Sequence, residues 1–288
     1  EETATFTTTG SQTEVGNSKN AYSIEWDGTA KSTNYQISET VGTLTVTQQS
    51  IDPNDPDHKY NGVTVNSPSN EVYDGKEHMW SPTVTDKADK KLKAGTDYTV
   101  EYSTKNFIDV GTIDVTITGI GNYTGTVTRT YEITPKAYTV TTESANKVYD
   151  GTALTAGGKV EGIVSGETVE FTTTGSQTEV GTSKNTYELV WKSAKATNYS
   201  LAKESIGELT VKAKSIVPDG PDTPEEKKTG ITVNEPSDSM YDGQEHKEVL
   251  TVTDTKTGAT LVKDTDYTLS YSEDVINVGT VDVTVNGI

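Results

Sequence analysis

The sequence predicts an all-β protein, built as a tandem array of small β-sandwich or β-grasp-like modules with little or no helix. Three observations carry this. Apolar and polar residues alternate with a period of two, the chain repeats itself in the order A, B, A, B, and its composition favours strands. Among 288 residues there are 15 Tyr but only 3 Phe and 2 Met, and Thr is abundant. Thr and Tyr fit pleated surfaces of which one face packs and the other meets water. With 31% hydrophobic residues, each core must be small.

The alternation is read directly from the chain. Tyr98, Val100 and Tyr102 alternate with Thr99, Glu101 and Ser103, and Ile113, Val115 and Ile117 alternate with Asp114, Thr116 and Thr118. Tyr187, Leu189 and Trp191 do the same with Thr186, Glu188 and Val190. Such a pattern places one face in a core and the other in solvent. Helical periodicity is weak everywhere, with at most one short turn over 87–93.

The modules follow in order. Residues 1–47 are a first A copy: ETATFTTTGSQTEVG from Glu2 returns as ETVEFTTTGSQTEVG from Glu167, so that Gly10 matches Gly175 and Trp26 matches Trp191. Residues 48–59, with DPNDPD at their centre, read as a spacer. Residues 60–135 are a B copy: NGVTVNSPSNEVYDGKEH from Asn61 returns as TGITVNEPSDSMYDGQEH from Thr229, matching Tyr73 to Tyr241. Residues 136–212 are the complete A copy, 213–228 (VPDGPDTPEEKK) a second spacer, and 229–288 the second B copy. Proline fixes φ and lacks a donor, so both spacers are expected to be extended and semi-rigid. The B-to-A junction, ITPKAYTV, has almost no spacer, and its modules are expected to abut. The first A lacks a counterpart of 137–166 and the second B lacks its closing strand, which predicts a window from a longer array.

Composition excludes several functions. A formal charge of −19 would be repelled by phosphate backbones and anionic lipid, so neither nucleic acid nor a membrane surface is an expected partner. No apolar run reaches 18 residues, so membrane insertion is not expected. The absence of cysteine removes disulfides, thiolate metal sites and thiol nucleophiles. No GxSxG or HExxH pattern occurs, and a non-enzymatic protein is predicted.

Tyr-Asp-Gly appears three times, at Tyr73-Asp74-Gly75, Tyr149-Asp150-Gly151 and Tyr241-Asp242-Gly243. In the complete A copy it sits in KVYDGTALT, followed by VEG, GETVEF, VG, NY and a closing GELTV. This spaced pattern resembles the YDG-motif and MBG-type repeats of bacterial surface proteins. The B copies, with AGTDYTVEYSTKNFIDVGTIDVTITGIGNYTGTVTRTYEIT, resemble bacterial Ig-like repeats of large wall-attached proteins of Gram-positive anaerobes. The resemblance implies Ig-like sandwiches, an extracellular place at the bacterial cell wall, and a stalk or adhesin role in which the partners are the rest of the same repeat protein or neighbouring subunits of a fibre. Direct binding of host glycans or proteins such as mucin is the alternative. Wall proteins of this kind are often stapled by Lys–Asn isopeptide bonds, but the sequence singles out no pair.

Candidate sites are few. Asp-Gly suits a hairpin turn, with the preceding Tyr packing over a core edge. Trp26 and Trp191 are equivalent, which suits a core role, whereas Trp80 faces Glu248 in the other copy and is the candidate sugar-stacking residue. His78 and His246 are equivalent, and His58 lies in the spacer; none carries metal-ligand spacing. Asp52, Asp55 and Asp57 are candidate calcium ligands at the A–B joint, although calcium takes six to eight oxygens. The second spacer, with Asp219, Asp222, Glu225 and Glu226, lacks that spacing. The sequons at Asn122 and Asn198 are read as chance.

Overall fold

A computed structural model describes residues 2–56, 62–272 and 275–288. Among these the chain is all-β, and its only helical elements are three three-residue 3₁₀ turns, Ser32–Asn34, Ala196–Asn198 and Glu225–Lys227. The chain forms two compact units, Glu1–Ala137 with Lys195–Ser200, and Tyr138–Ala194 with Leu201–Ile288. Each joins most of an A copy to the B copy that follows it.

The first A copy consists of two antiparallel pairs. Strand β1 (Thr3–Thr8) pairs with β3 (Tyr22–Asp27), matching Phe6 to Ile24, and β2 (Gly16–Lys19) pairs with β4 (Thr43–Val46). The alternation of β3 is real: Tyr22, Ile24 and Trp26 turn inward and Ser23, Glu25 and Asp27 outward.

The first B copy holds the larger core of this unit. Its short strands are β5 (Gln49–Ser50), β6 (Thr64–Val65), β7 (Glu71–Val72) and β8 (Val84–Thr85). The long ones are β9 (Tyr98–Tyr102), β10 (Gly111–Gly119) and β12 (Thr126–Thr134), with β11 (Tyr123–Thr124) between. A four-stranded sheet runs β7-β12-β10-β9, and β6 pairs with β8 beside it. The period-two set of Ile113, Val115, Ile117, Tyr131 and Ile133 is buried, because every second residue of β10 and β12 points into the core.

The spacer at 48–59 does not begin as a spacer. Strand β5 pairs in parallel with β11, Ile51 N donates to Thr124 O at 2.8 Å, and Ile51 and Ser50 are buried. The B core therefore starts before the prolines, which lie on a loop inside the module. Only two residues separate β4 of the A copy from β5.

In the complete A copy, β13 (Lys136–Thr142) lies between β15 (Gly158–Glu161) and β19 (Tyr199–Ser205). Strand β20 (Glu208–Lys212) lies between β14 (Ala145–Val148) and β17 (Gly181–Lys184), and β16 (Val169–Thr173) pairs with β18 (Tyr187–Trp191). Val140, Leu209 and Val211 form the buried centre.

The second B copy repeats part of the first. Strand β22 (Val252–Asp254) is flanked by β21 (Ile231–Val233) and β23 (Ala259–Thr260), and β24 (Tyr267–Tyr271) pairs with β25 (Val283–Gly287). Ile231, Val252 and Tyr267 make its core, and Ile216, from before the second proline run, packs against it. This run too is a loop of the module rather than an extended spacer. Asp219 accepts the backbone N–H of Thr229 and Gly230 at 2.7 and 2.8 Å, closing the loop on itself. Half-buried Lys214 meets buried Asp254 at 2.7 Å and fixes the start of the loop to β22.

Candidate interaction surfaces

Each Tyr-Asp-Gly forms the same local turn. Asp74 Oδ1 accepts Lys76 N at 2.9 Å, Asp150 Oδ1 accepts Thr152 N at 2.9 Å, and Asp242 Oδ1 accepts Gln244 N at 2.8 Å. The glycine takes φ of +79, +76 and +80°, the left-handed region that a side chain resists. A second partner completes each turn: His78 Nε2 at 2.8 Å, Lys147 Nζ at 2.6 Å, and His246 Nε2 at 2.8 Å. The carboxyls are held below their usual range, Asp74 first by the Lys76 amide and then by His78, Asp150 first by Lys147, and Asp242 first by the Gln244 amide. The expected hairpin is absent, however. Strands β7 and β14, which lead into two of these turns, pair in parallel with β12 and β20, so the motif closes an edge strand instead of joining two neighbours. The three aspartates and the two equivalent histidines are thus occupied in shaping turns.

All three tryptophans are half-buried. Trp26 stacks on Tyr35 with centroids 4.9 Å apart, and Trp191 meets Tyr138 edge-on at 5.5 Å. Trp80 is half-buried, and its backbone carries the order: its N–H reaches Tyr131 Oη at 3.3 Å, and its carbonyl accepts Tyr102 Oη at 2.8 Å. The Glu248 carbonyl accepts Tyr271 Oη at 2.8 Å in the same way, so the fold uses this position without reading its side chain.

Asp52 Oδ1 accepts Asn54 N at 2.8 Å, and its carbonyl accepts Asp55 N at 3.3 Å, so this stretch curls into a turn. Asp57 and His58 lie outside the described residues. Among the described residues no three His, Cys, Asp or Glu side chains stand close enough to hold a metal ion.

The most elaborate polar cluster was not singled out in the sequence. The segment Lys195–Ser200 lies within the first unit. There Asp109 accepts Asn198 Nδ2 at 2.7 Å, Asn106 Nδ2 at 2.7 Å and Lys195 Nζ at 3.0 Å. Asn198 Oδ1 in turn accepts Val110 N at 3.0 Å. These donors hold the Asp109 carboxyl at about 2, Asn198 contributing most. Beside them Tyr199 packs edge-on against Tyr73, the tyrosine of the first Tyr-Asp-Gly, with centroids 5.5 Å apart. Asn198 is 1% exposed and Tyr199 7%. The available signal was the recurrence of Lys-Ser-Thr-Asn-Tyr at 31–35 as Lys-Ala-Thr-Asn-Tyr at 195–199. The other sequon asparagine is also structural, since Asn122 accepts Val15 N at 3.0 Å and donates to Glu14.

Tyr73 is 3% exposed and Tyr241 64%.

Comparison with protein families places a YDG domain at residues 134–206, over the complete A copy. This is a non-catalytic domain family. No curated protein matches the chain.

Proposed function

We propose that this chain is the structural repeat region of a bacterial cell-surface protein, a stalk or fibre that projects an adhesive head from the cell wall. The observation that carries the reading is the recurrence of one A–B pair as a compact unit, with the proline loops folded into the B modules. Repeated units that contact mainly their neighbours add length without a new core. The Tyr-Asp-Gly turns serve the same end, because their charged groups hold local shape. Export to the surface and the Gram-positive origin rest on the resemblance of the repeats.

The test is geometric. Deleting one A–B pair from the full surface protein should shorten the projection seen by electron microscopy, by roughly 50 Å for two modules of this size. An unchanged projection would remove the stalk reading.

The second reading, direct binding of host glycan or mucin, is favoured by one observation, the half-buried Trp80 whose side chain the turn does not need. A glycan array on the chain and on Trp80→Ala separates the two. Binding lost in the variant supports a glycan site there, and no binding by either leaves the stalk.

A further inference from the structure

Five aspartates of the chain precede a glycine: Asp27, Asp74, Asp150, Asp219 and Asp242. Glycine has no side chain to shield its backbone nitrogen, so in this pair that nitrogen reaches the neighbouring carboxyl most readily. Its attack forms an N–Cγ bond and breaks a Cγ–O bond. The amide proton and the carboxyl hydroxyl leave together as water, and a five-membered succinimide remains. Water then opens the ring. When it breaks the bond from the nitrogen to the α carbonyl carbon, the product is isoaspartate, with one more methylene in the main chain and no change in mass.

Two conditions govern the step. The carboxyl must be neutral, because an ionised one has no hydroxyl to release, and it must be free to swing onto the glycine nitrogen. Four of the five are held against both. Asp74, Asp150 and Asp242 each bind the amide two residues on and a second partner, His78, Lys147 or His246. Asp219 gives one oxygen to the Thr229 amide at 2.7 Å and the other to the Gly230 amide at 2.8 Å. These donors favour the ionised form and hold all four carboxyls below their usual range. The leading one is the Lys76 amide at Asp74, Lys147 at Asp150, the Thr229 amide at Asp219 and the Gln244 amide at Asp242.

Asp27 differs. It is exposed, as is Gly28, and among the described residues its carboxylate accepts one hydrogen bond, from the Thr5 hydroxyl at 3.3 Å. Gly28 takes a φ of +68°, and a Cβ there would meet nothing within 4 Å, so the ring has room to form. The openness belongs to the position. In the complete A copy Lys192 follows Trp191 as Asp27 follows Trp26, and Lys192 is exposed too.

We propose that Asp27–Gly28 is a site of spontaneous isoaspartate formation, and that the second partner of each Tyr-Asp-Gly carboxylate, Lys147 above all, guards its turn against the same change. The two locations differ in what the added methylene does. At Asp27 it falls in a surface turn, where Ala30 N meets the Asp27 carbonyl at 3.2 Å. At Asp150 it would carry the carboxylate away from the Thr152 amide and undo the turn that follows β14. The guards therefore preserve the three turns as the chain ages. This inference stands apart from the stalk reading, since it requires only the chain and water.

Ageing the intact chain in warm, mildly acidic buffer tests the proposal. Peptide mapping with electron-transfer fragmentation, which cleaves through the added methylene, counts isoaspartate at each position. It should accumulate at Asp27 about tenfold faster than at the other four, the factor by which one pKa unit lowers the neutral fraction. Lys147→Met keeps the stem and removes the charge. It should speed Asp150 about tenfold and leave Asp27 unchanged. Lys147→Arg should restore the slow rate, which separates a guarding charge from a loosened fold. Equal rates at all five aspartates overturn the proposal. So does an Asp150 that stays slow in Lys147→Met, or one as fast in Lys147→Arg as in Lys147→Met.

Discussion

The two A copies differ less in sequence than in what lies against them. Asn20 and Asn185 occupy the same place, and each donates its backbone N–H at 2.8 Å to a glycine carbonyl, Gly42 or Gly207. In the second copy the Asn185 side chain is fully buried and donates to the carbonyls of Glu143, Ala156 and Gly157 at 3.0 to 3.2 Å. Those carbonyls come from the β13–β15 segment. The glycines record the same difference. A Cβ on Gly207 would stand 2.3 Å from the Glu143 main chain, whereas one on Gly42 would meet nothing within 4 Å. An identical side chain is therefore fully buried in one copy and half-buried in the other. Tertiary surroundings assign its worth.

Three tests sharpen or break this comparison. The largest effect belongs to Gly207→Ala, which drives a methyl into backbone that cannot swing aside. It should destabilise the second unit by about 3 kcal/mol, while Gly42→Ala should stay within about 0.5 kcal/mol. Urea unfolding of both variants measures the pair, and equal losses would show that the two surroundings are alike. Next comes Asn185→Ala, which strands buried carbonyls and should cost about 2 kcal/mol, against about 0.5 kcal/mol or less for Asn20→Ala.

The smallest effect extends the comparison to the B copies through acid. Folding lowers the Asp109 carboxyl to about 2, below the roughly 3.9 of an unfolded aspartate. Its contribution is complete above about pH 4 and is lost as pH falls through about 2. With 29% of the side chain exposed, solvent screening leaves roughly 1 kcal/mol of it. Asp109→Asn, which installs the residue found at Asn277, should remove this acid dependence from the first unit. Thermal melts from pH 5 to pH 2 give the result, and parallel curves for the two proteins would discount the cluster.

The period of two in 98–118 and 187–191 was enough to give strands with Tyr98, Ile113, Val115 and Ile117 turned inward. That pattern is local: a pleat sends alternate residues to opposite faces whatever the strand pairs with. The Tyr-Asp-Gly turn was similarly legible, because its Asp carboxylate bonds a backbone amide two residues on and its glycine supplies the positive φ. The strand pairing around it was not, and the hairpin expected there is absent, since β7 pairs with β12 and β14 with β20, strands far apart in sequence.

By itself, then, the sequence determined the all-β class, the A, B, A, B order and the equivalence of Trp26 with Trp191 and of His78 with His246. Each follows from local pattern or from self-comparison. Only the tertiary structure decided that Ile51 is buried in the first B module and Ile216 packs on the core of the second, both ahead of the prolines, and that Asn198 bonds Asp109 while Tyr199 packs on Tyr73. The reason is physical. Burial and hydrogen bonding depend on which distant segment arrives, and neither composition nor spacing carries that information. Proline marks where the chain must extend, but the strand on each side of it belongs to whichever core offers an edge.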